Sequence, residues 1–332
     1  MSDKVSQEYL PLDTNDSVLV KLFGWNIIGF LIAFLINNYL SLSNDFPGVL
    51  SGVLDGSLYG LIQLGIYLSI GMLVSYFFVL KNKRTLRQDA ELVNSLNMYL
   101  IRGLFWSVLF IGIVDVAIAF IRVERILPSY IDDDLIRLLN KPTFIGPNVH
   151  VPIFITSFLL ASFTRTLGFV WLSLLIVLAE LLIVISRFVF SYEQPFMADL
   201  VRYWYAALFL FASAYTLYDE GHVRVDIVYA GLSQRAKGFL NALGAVFLGL
   251  TTSLLIVLIA FNGKYSIVNK PLMSFEVSQT GTVGMFVKYQ MALFLGVFGI
   301  TMTIQFVSCF FESIADYRGE SGKRKVIQEK VH

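Results

Sequence analysis

The chain has 332 residues, 56% hydrophobic and 15% charged, with a mean hydropathy of +0.70. Soluble domains carry roughly 25% charged residues, so this balance excludes an ordinary soluble domain and points to a membrane protein. A net charge of +1, with the charges scattered, leaves no footprint for nucleic acid, and the single Cys309 excludes an internal disulfide or a cysteine metal cluster.

Residues 1–17 form a polar, acidic tail with no apolar core ahead of a small-residue cleavage site. They are not read as a cleavable signal peptide, so the first span serves as its own insertion signal. A bilayer core of about 30 Å needs about 20 apolar residues in a helix. The runs Val18–Leu40, Leu58–Leu80, Leu167–Phe190, Phe239–Phe261 and Tyr289–Phe311 meet this easily. Tyr99–Phe120 and Met197–Tyr218 meet it with charges inside, Arg102 and Asp115 in one and Asp199 and Arg202 in the other. Gly146–Phe163 is shorter, with Pro147 and Pro152 in its first turns, where a helix tolerates proline best. The expected fold is an all-α integral membrane protein of about eight transmembrane helices. Seven plus a re-entrant or interfacial helix at 146–163 is the alternative.

Lysine and arginine in short loops set the orientation. The loop 81–88 carries Lys81, Lys83, Arg84 and Arg87, the stretch after Tyr218 holds Arg224, Arg235 and Lys237, and the end of the chain holds Arg318, Lys323, Arg324, Lys325 and Lys330. All three are expected in the cytoplasm, with both termini. The loops before Leu58 and at 191–195 lack basic residues, and 262–287 has only Lys264 and Lys270; these are expected outside. The loop 122–150 would then lie outside while carrying Arg122, Arg125, Arg137 and Lys141, against the rule. Its segment 131–142 reads as a short amphipathic surface helix.

Catalytic signatures are missing. Gly319–Arg324 lacks the spacing of a phosphate-binding loop, His150, His222 and His332 lie on separate segments, and there is no Gly-x-Ser-x-Gly elbow. No matched pair of broken spans marks a transporter's own substrate site. The chain is expected to be no enzyme and to need no cofactor. Ionisable residues inside spans cost about 2.5–3.5 kcal/mol on insertion scales, so each needs a reason. Arg187 and Asp199 flank the short hairpin 191–195 at similar depth and are expected to form an ion pair. Glu180, near mid-span, and Asp115, nearer the outer end of its span, have no evident basic partner. Glu180 is either hydrogen-bonded within the bundle or faces another chain. Gly238, Ala242, Ala245 and Gly249 form a small-residue strip that suits close internal packing.

The polar island 218–229, "YDEGHVRVDIVY", interrupts two apolar runs. Val225, Val228, Tyr229 and Leu232 recur at helical spacing, as in a short helix lying apolar side down in the headgroups with Arg224 near lipid phosphate. A proton relay through His222 and Asp226 is the lesser reading, since water supplies protons at a surface. The stretch 212–244, with His222, Val223, Arg224, Val225, Asp226, Leu232, Ser233 and Arg235, resembles the signature of the small membrane subunit (DctQ type) of tripartite ATP-independent periplasmic, or TRAP, transporters. Residues 186–190, the segment 274–281 and Gln305 are similar to flanking features of that family. The resemblance covers about Leu167 to Tyr317. It departs at Asp199, where a glutamate is more familiar, and in the additional spans that come first.

The resemblance implies a division of labour. A large (DctM-type) subunit carries substrate and sodium sites in an elevator, a periplasmic substrate-binding protein captures an organic acid, and the small subunit buttresses the fixed scaffold. The organisation expected is a tail 1–17, additional spans in 18–165, a four-helix DctQ-like domain 166–317 and a basic cytoplasmic tail 318–332. His222, Arg224, Val225 and Asp226 would dock lipid or a partner, and the protein would sit in a bacterial inner membrane. A self-sufficient carrier or channel is the alternative function, and an intramembrane enzyme using Glu180 or Asp115 ranks below it.

Overall fold

A computed structural model describes residues 17–124, 133–166, 168–219, 227–277 and 283–323. Among these residues the regular elements are all helices: α1 (Val18–Ser43), α2 (Val49–Leu54), α3 (Leu58–Val74, continued by a π-helical turn to Leu80), α4 (Leu86–Val123), α5 (Asp133–Leu139), α6 (Pro142–Ile145), α7 (Val151–Phe163), α8 (Phe169–Val189) and α9 (Pro195–Tyr218). Then follow α10 (Ile227–Ala230), α11 (Gln234–Leu243), α12 (Thr251–Ala260), α13 (Asn269–Ser274) and α14 (Lys288–Arg318). π-Helical turns at Gly146–His150 and Gly244–Leu250 join α6 to α7 and α11 to α12.

Among the described residues, 7 helical stretches are long and apolar enough to cross a membrane: Val18–Ser43, Leu58–Leu80, Leu86–Val123, Pro142–Phe163, Phe169–Val189, Gln234–Ala260 and Lys288–Arg318. The protein is an all-α, multi-pass membrane protein. The expected count of about eight changes in its membership. The segment expected as either a crossing or a re-entrant piece qualifies, because its helix begins at Pro142. The expected span that falls outside the set is α9, 24 residues long, diluted by Asp199, Arg202, Tyr203, Trp204 and Tyr205. Burial compensates for that polarity. Phe196, Leu200, Tyr203, Trp204, Ala207, Phe211 and Ala214 repeat at three and four residues and are buried as one stripe.

The chain forms two compact units, one of Met1–Ser95, Thr216–Ser253 and Met302–His332, the other of Leu96–Tyr215 and Leu254–Thr301. Each draws on the additional N-terminal helices and on the 166–317 part, so the units cut across the sequence boundary expected near residue 165.

In the first unit α1 and α3 pair through Trp25 stacked on Phe78 at 4.1 Å and through Asn26 Nδ2 donating to Ser75 Oγ at 2.9 Å. Further along, Asn37 Nδ2 donates to the Gln63 carbonyl at 3.3 Å and Gln63 Nε2 to Ser41 Oγ at 3.1 Å. Such contacts average about 0.6 kcal/mol in a membrane and fix helix rotation as much as they stabilise. The strip Gly238, Ala242, Ala245 and Gly249 is buried, as expected of internal packing. A Cβ on Gly238 would lie 2.5 Å from the Tyr317 amide nitrogen, so α11 and α14 touch backbone to backbone there.

In the second unit Phe211 packs edge-on against Phe105 at 5.6 Å and Phe294 at 4.9 Å, and Trp204 Nε1 donates to the Val108 carbonyl at 3.1 Å. The π turn before α7 has a local cause. Pro147 and Pro152 lack the amide hydrogens that a regular ladder needs, and Asn148 Nδ2 satisfies the Phe144 carbonyl at 2.9 Å instead.

Candidate functional site

Two groups of charged side chains stand out in the second unit, one turned inward and one turned outward. The inward group grips the residues just before α14. Asp115 Oδ2 of α4 accepts the Phe286 amide at 2.7 Å, and Asp199 Oδ2 of α9 accepts the neighbouring Met285 amide at 3.2 Å. The Arg122 guanidinium donates to the Gly284 carbonyl and lies 4.1 Å from the Phe286 ring centroid. Met285, Phe286 and Val287 are all buried. Two carboxylates therefore satisfy consecutive amides at the positive end of a 31-residue helix, where negative charge is most favourable.

Asp115 has a second partner. His150 Nε2, set by the π turn, is 3.3 Å from Asp115 Oδ1, and both side chains are almost fully buried. His150 Nδ1 lies 2.7 Å from the Tyr289 hydroxyl and 2.9 Å from Gln290 Nε2, while Gln290 Oε1 accepts from the Tyr203 hydroxyl. The tautomer with its proton on Nε2 gives every nitrogen of the ring a partner, donating to Asp115 and accepting on Nδ1. Among the described residues no group of three His, Cys, Asp or Glu side chains converges, so the geometry is that of a hydrogen-bonded fastening. It joins α4, α9, the turn before α7 and α14.

Two expectations are corrected here. Asp115 is not an unpaired intramembrane acid; its partners were invisible because a histidine and backbone amides carry no sequence signal of opposite charge. Nor does Asp199 pair with Arg187. Besides Met285, Asp199 lies 3.9 Å from Arg202 one turn along its own helix. Arg187 and Asp199 flank the same short hairpin in sequence, but helical phase separates them. Asp199 is on the buried face of α9 and Arg187 on the exposed face of α8.

The outward group lies on α8, which buries only the narrow stripe Leu172, Ile176 and Ala179. Glu180, near the middle of this helix, is exposed, and so is Arg187 two turns further along the same side. Around them Val177, Leu181 and Val184 are 63%, 51% and 48% exposed. Among the described residues neither Glu180 nor Arg187 has a hydrogen-bond or ion-pair partner. Of the two readings of Glu180, an internal hydrogen bond or an outward face, the structure gives the outward face.

In the first unit the two arginines of the 81–88 loop are tied down. Arg84 Nε lies 2.8 Å from Asp89 Oδ1, and Lys21, on the first turn of α1, lies 3.8 Å from Asp89 Oδ2. Arg87 bonds Asp316 at 2.8 Å, Glu312, and the Glu320 carbonyl at 2.9 Å. Asp316 also meets Lys323 at 2.7 Å and Gln234 Nε2 at 3.0 Å. The start of α1, the 81–88 loop, the start of α11 and the end of α14 thus gather at one end of this unit.

The island residues His222, Arg224, Val225 and Asp226 lie outside the described residues. Next to them, Tyr229 is held by Asn241 Nδ2 at 2.8 Å, and Lys237 sits 5.3 Å from its ring centroid. Sequence reasoning missed His150, Tyr203, Tyr289 and Gln290. The one usable signal was spacing, since His150 lies near the start of one apolar run and Asp115 near the end of another.

Residues 174–316 match the family described as "Tripartite ATP-independent periplasmic transporters, DctQ component". No curated protein and no solved structure matches the chain. The matched region holds Glu180, Arg187, Asp199, Tyr203, Tyr289 and Gln290, whereas Asp115, Arg122 and His150 lie before it. Residues 174–316 thus resemble the DctQ component of TRAP transporters, and they follow an additional set of apolar N-terminal helices.

Proposed function

We propose that the chain is the scaffold subunit of a sodium-driven, binding-protein-dependent importer of an organic acid, and that it performs no chemistry itself. The observation that carries this reading is the contrast around Glu180. Four ionisable groups of the additional helices, Lys21, Asp89, Asp115 and Arg122, are engaged within the chain. The helix that opens the DctQ match instead turns a mid-span carboxylate away from it. A carboxylate facing hydrocarbon costs several kcal/mol, so the outward face of α8 calls for another protein chain. On this reading α8 meets the large DctM-type subunit, and that subunit holds the substrate and sodium sites. The periplasmic binding protein delivers the substrate, and the segment 222–226 docks lipid headgroups or the large subunit.

The side assignment follows the same logic. The gathering of Lys21, Arg84, Arg87, Gln234 and Lys323 at one end supports placing the start of α1, the 81–88 loop, the island and the end of α14 on a common face. Their basic character makes that face the cytoplasmic side of a bacterial inner membrane. The exception at Arg122 becomes intelligible, because this cation is spent on Gly284 and Phe286 rather than left to the loop.

Reconstitution tests the proposal. Liposomes holding the large subunit alone, this chain alone, and both, with binding protein outside, are compared under an imposed sodium gradient. Uptake is expected only with both. Uptake by this chain alone would establish the self-sufficient carrier instead.

A further inference from the structure

Between α4 and α8 in the second unit runs a groove of about 260 Å³, lined by Phe105, Trp106, Leu109, Gly168, Trp171, Leu172 and Leu175. Its wall is almost wholly apolar. One end is marked by the connection between α7 and α8. Trp106 Nε1 donates to Thr164 Oγ1 at 3.1 Å, which ties that connection to the groove wall. Gly168 takes a φ of +75° that turns the chain into α8, and a Cβ there would meet nothing within 4 Å.

Two cations stand at this end. Arg165 is exposed, next to Thr164 in sequence. Arg102 lies one helical turn before Trp106 on the same side of α4; its Nε is buried without an acceptor, and its guanidinium lies 6.0 Å from the Tyr99 ring centroid. Among the described residues neither arginine has a carboxylate or hydrogen-bond partner. This sets them apart from Arg84, Arg87 and Arg122, each of which is engaged. From Phe169 to Val189 α8 has 21 residues, and at 1.5 Å per residue that is about the thickness of the hydrocarbon core. The Arg165 end of the groove therefore lies at headgroup level.

We infer that this groove holds an anionic phospholipid, one acyl chain along Trp106, Leu109, Leu172 and Leu175 and the phosphate against Arg165 and Arg102. The apolar wall supplies contact for the chain, the tryptophans suit the interface, and the unpaired guanidinium groups supply the charge complement. This site is distinct from the island at 222–226 and stands whether or not the transporter reading holds.

The test is native mass spectrometry of the full chain in detergent, titrated with phosphatidylglycerol or with phosphatidylcholine of the same acyl chains. Retention of phosphatidylglycerol over phosphatidylcholine is expected. Arg165→Gln and Arg102→Gln should each lower phosphatidylglycerol affinity about fivefold, the effect of one surface cation on an anionic headgroup. Leu172→Trp, which fills the groove, should reduce occupancy even with both arginines intact. Arg165 is exposed, so its variant keeps the test meaningful if the other two fold poorly. Equal retention of the two lipids, or phosphatidylglycerol binding that Arg165→Gln leaves unchanged, would overturn the site. So would photo-crosslinking from position 175 to a large subunit rather than to lipid in the assembled complex.

Discussion

Helices α14 and α8 are both long, apolar and part of the DctQ match, yet α14 buries 56% of its most apolar stretch within the chain and α8 only 17%. Their polar residues follow the same division. Tyr289, Gln290 and the amides before α14 are gripped by Asp115, Asp199 and His150, whereas Glu180 and Arg187 of α8 have no hydrogen-bond or ion-pair partner among the described residues. An ionisable group inside a membrane says only that a partner is required. Its face on the helix says whether the partner is in the same chain. Three groups from the additional N-terminal helices belong to the inward half of this division, Asp115 and Arg122 of α4 and His150 of the turn before α7.

The comparison can be broken by substitution. The largest loss of stability is expected for Asp115→Ala, which strands the Phe286 amide and His150. Removing one partner from a buried, hydrogen-bonded pair costs about 3–5 kcal/mol, read as loss of monodisperse protein after mild heating. Asp115→Asn keeps an acceptor and should retain part of that stability. Next comes Gly238→Val, which forces side-chain atoms into the α14 backbone; overpacking of this kind costs about 1–3 kcal/mol. It should lower the thermal midpoint of the purified chain without disturbing the Asp115 cluster. Smaller still is the coupling between Arg187 and Asp199. Since they face different directions, the double variant should equal the sum of the singles to within about 0.5 kcal/mol in a thermal-stability cycle. A coupling well above that would restore their ion pair.

Much of this was legible in the sequence, for reasons that differ by element. Long apolar runs announce helices because a backbone in lipid must satisfy itself. The small-residue strip at 238–249 announced close packing because only hydrogen or methyl side chains let helices approach so near. The family signature at 222–235 was legible although most of it lies outside the described residues. The inward cluster was not legible. Opposite charge is a pattern that can be sought, but Asp115 is satisfied by an imidazole and a backbone amide, and Asp199 by an amide. Arg187 and Asp199 show the converse error, in which matched depth suggested a pair that helix rotation forbids. The membership of the span set shifted likewise, because α9 hides its Asp199 and Tyr203 by burial while hydropathy counts them as though they met lipid.

The smallest expected effect on the chain alone is also the sharpest test. Glu180→Gln removes the charge of an outward-facing carboxylate while keeping its shape and hydrogen-bonding atoms. The thermal midpoint of the isolated full chain should stay unchanged, or rise slightly as the cost of an exposed intramembrane charge disappears. Retention of the large TRAP subunit in a tandem-affinity purification should fall about tenfold, as expected for loss of a charged contact worth about 1.4 kcal/mol. A variant chain that loses stability as Asp115→Ala does, or that keeps the large subunit at full yield, would contradict the claim that α8 carries this chain's partner-facing surface.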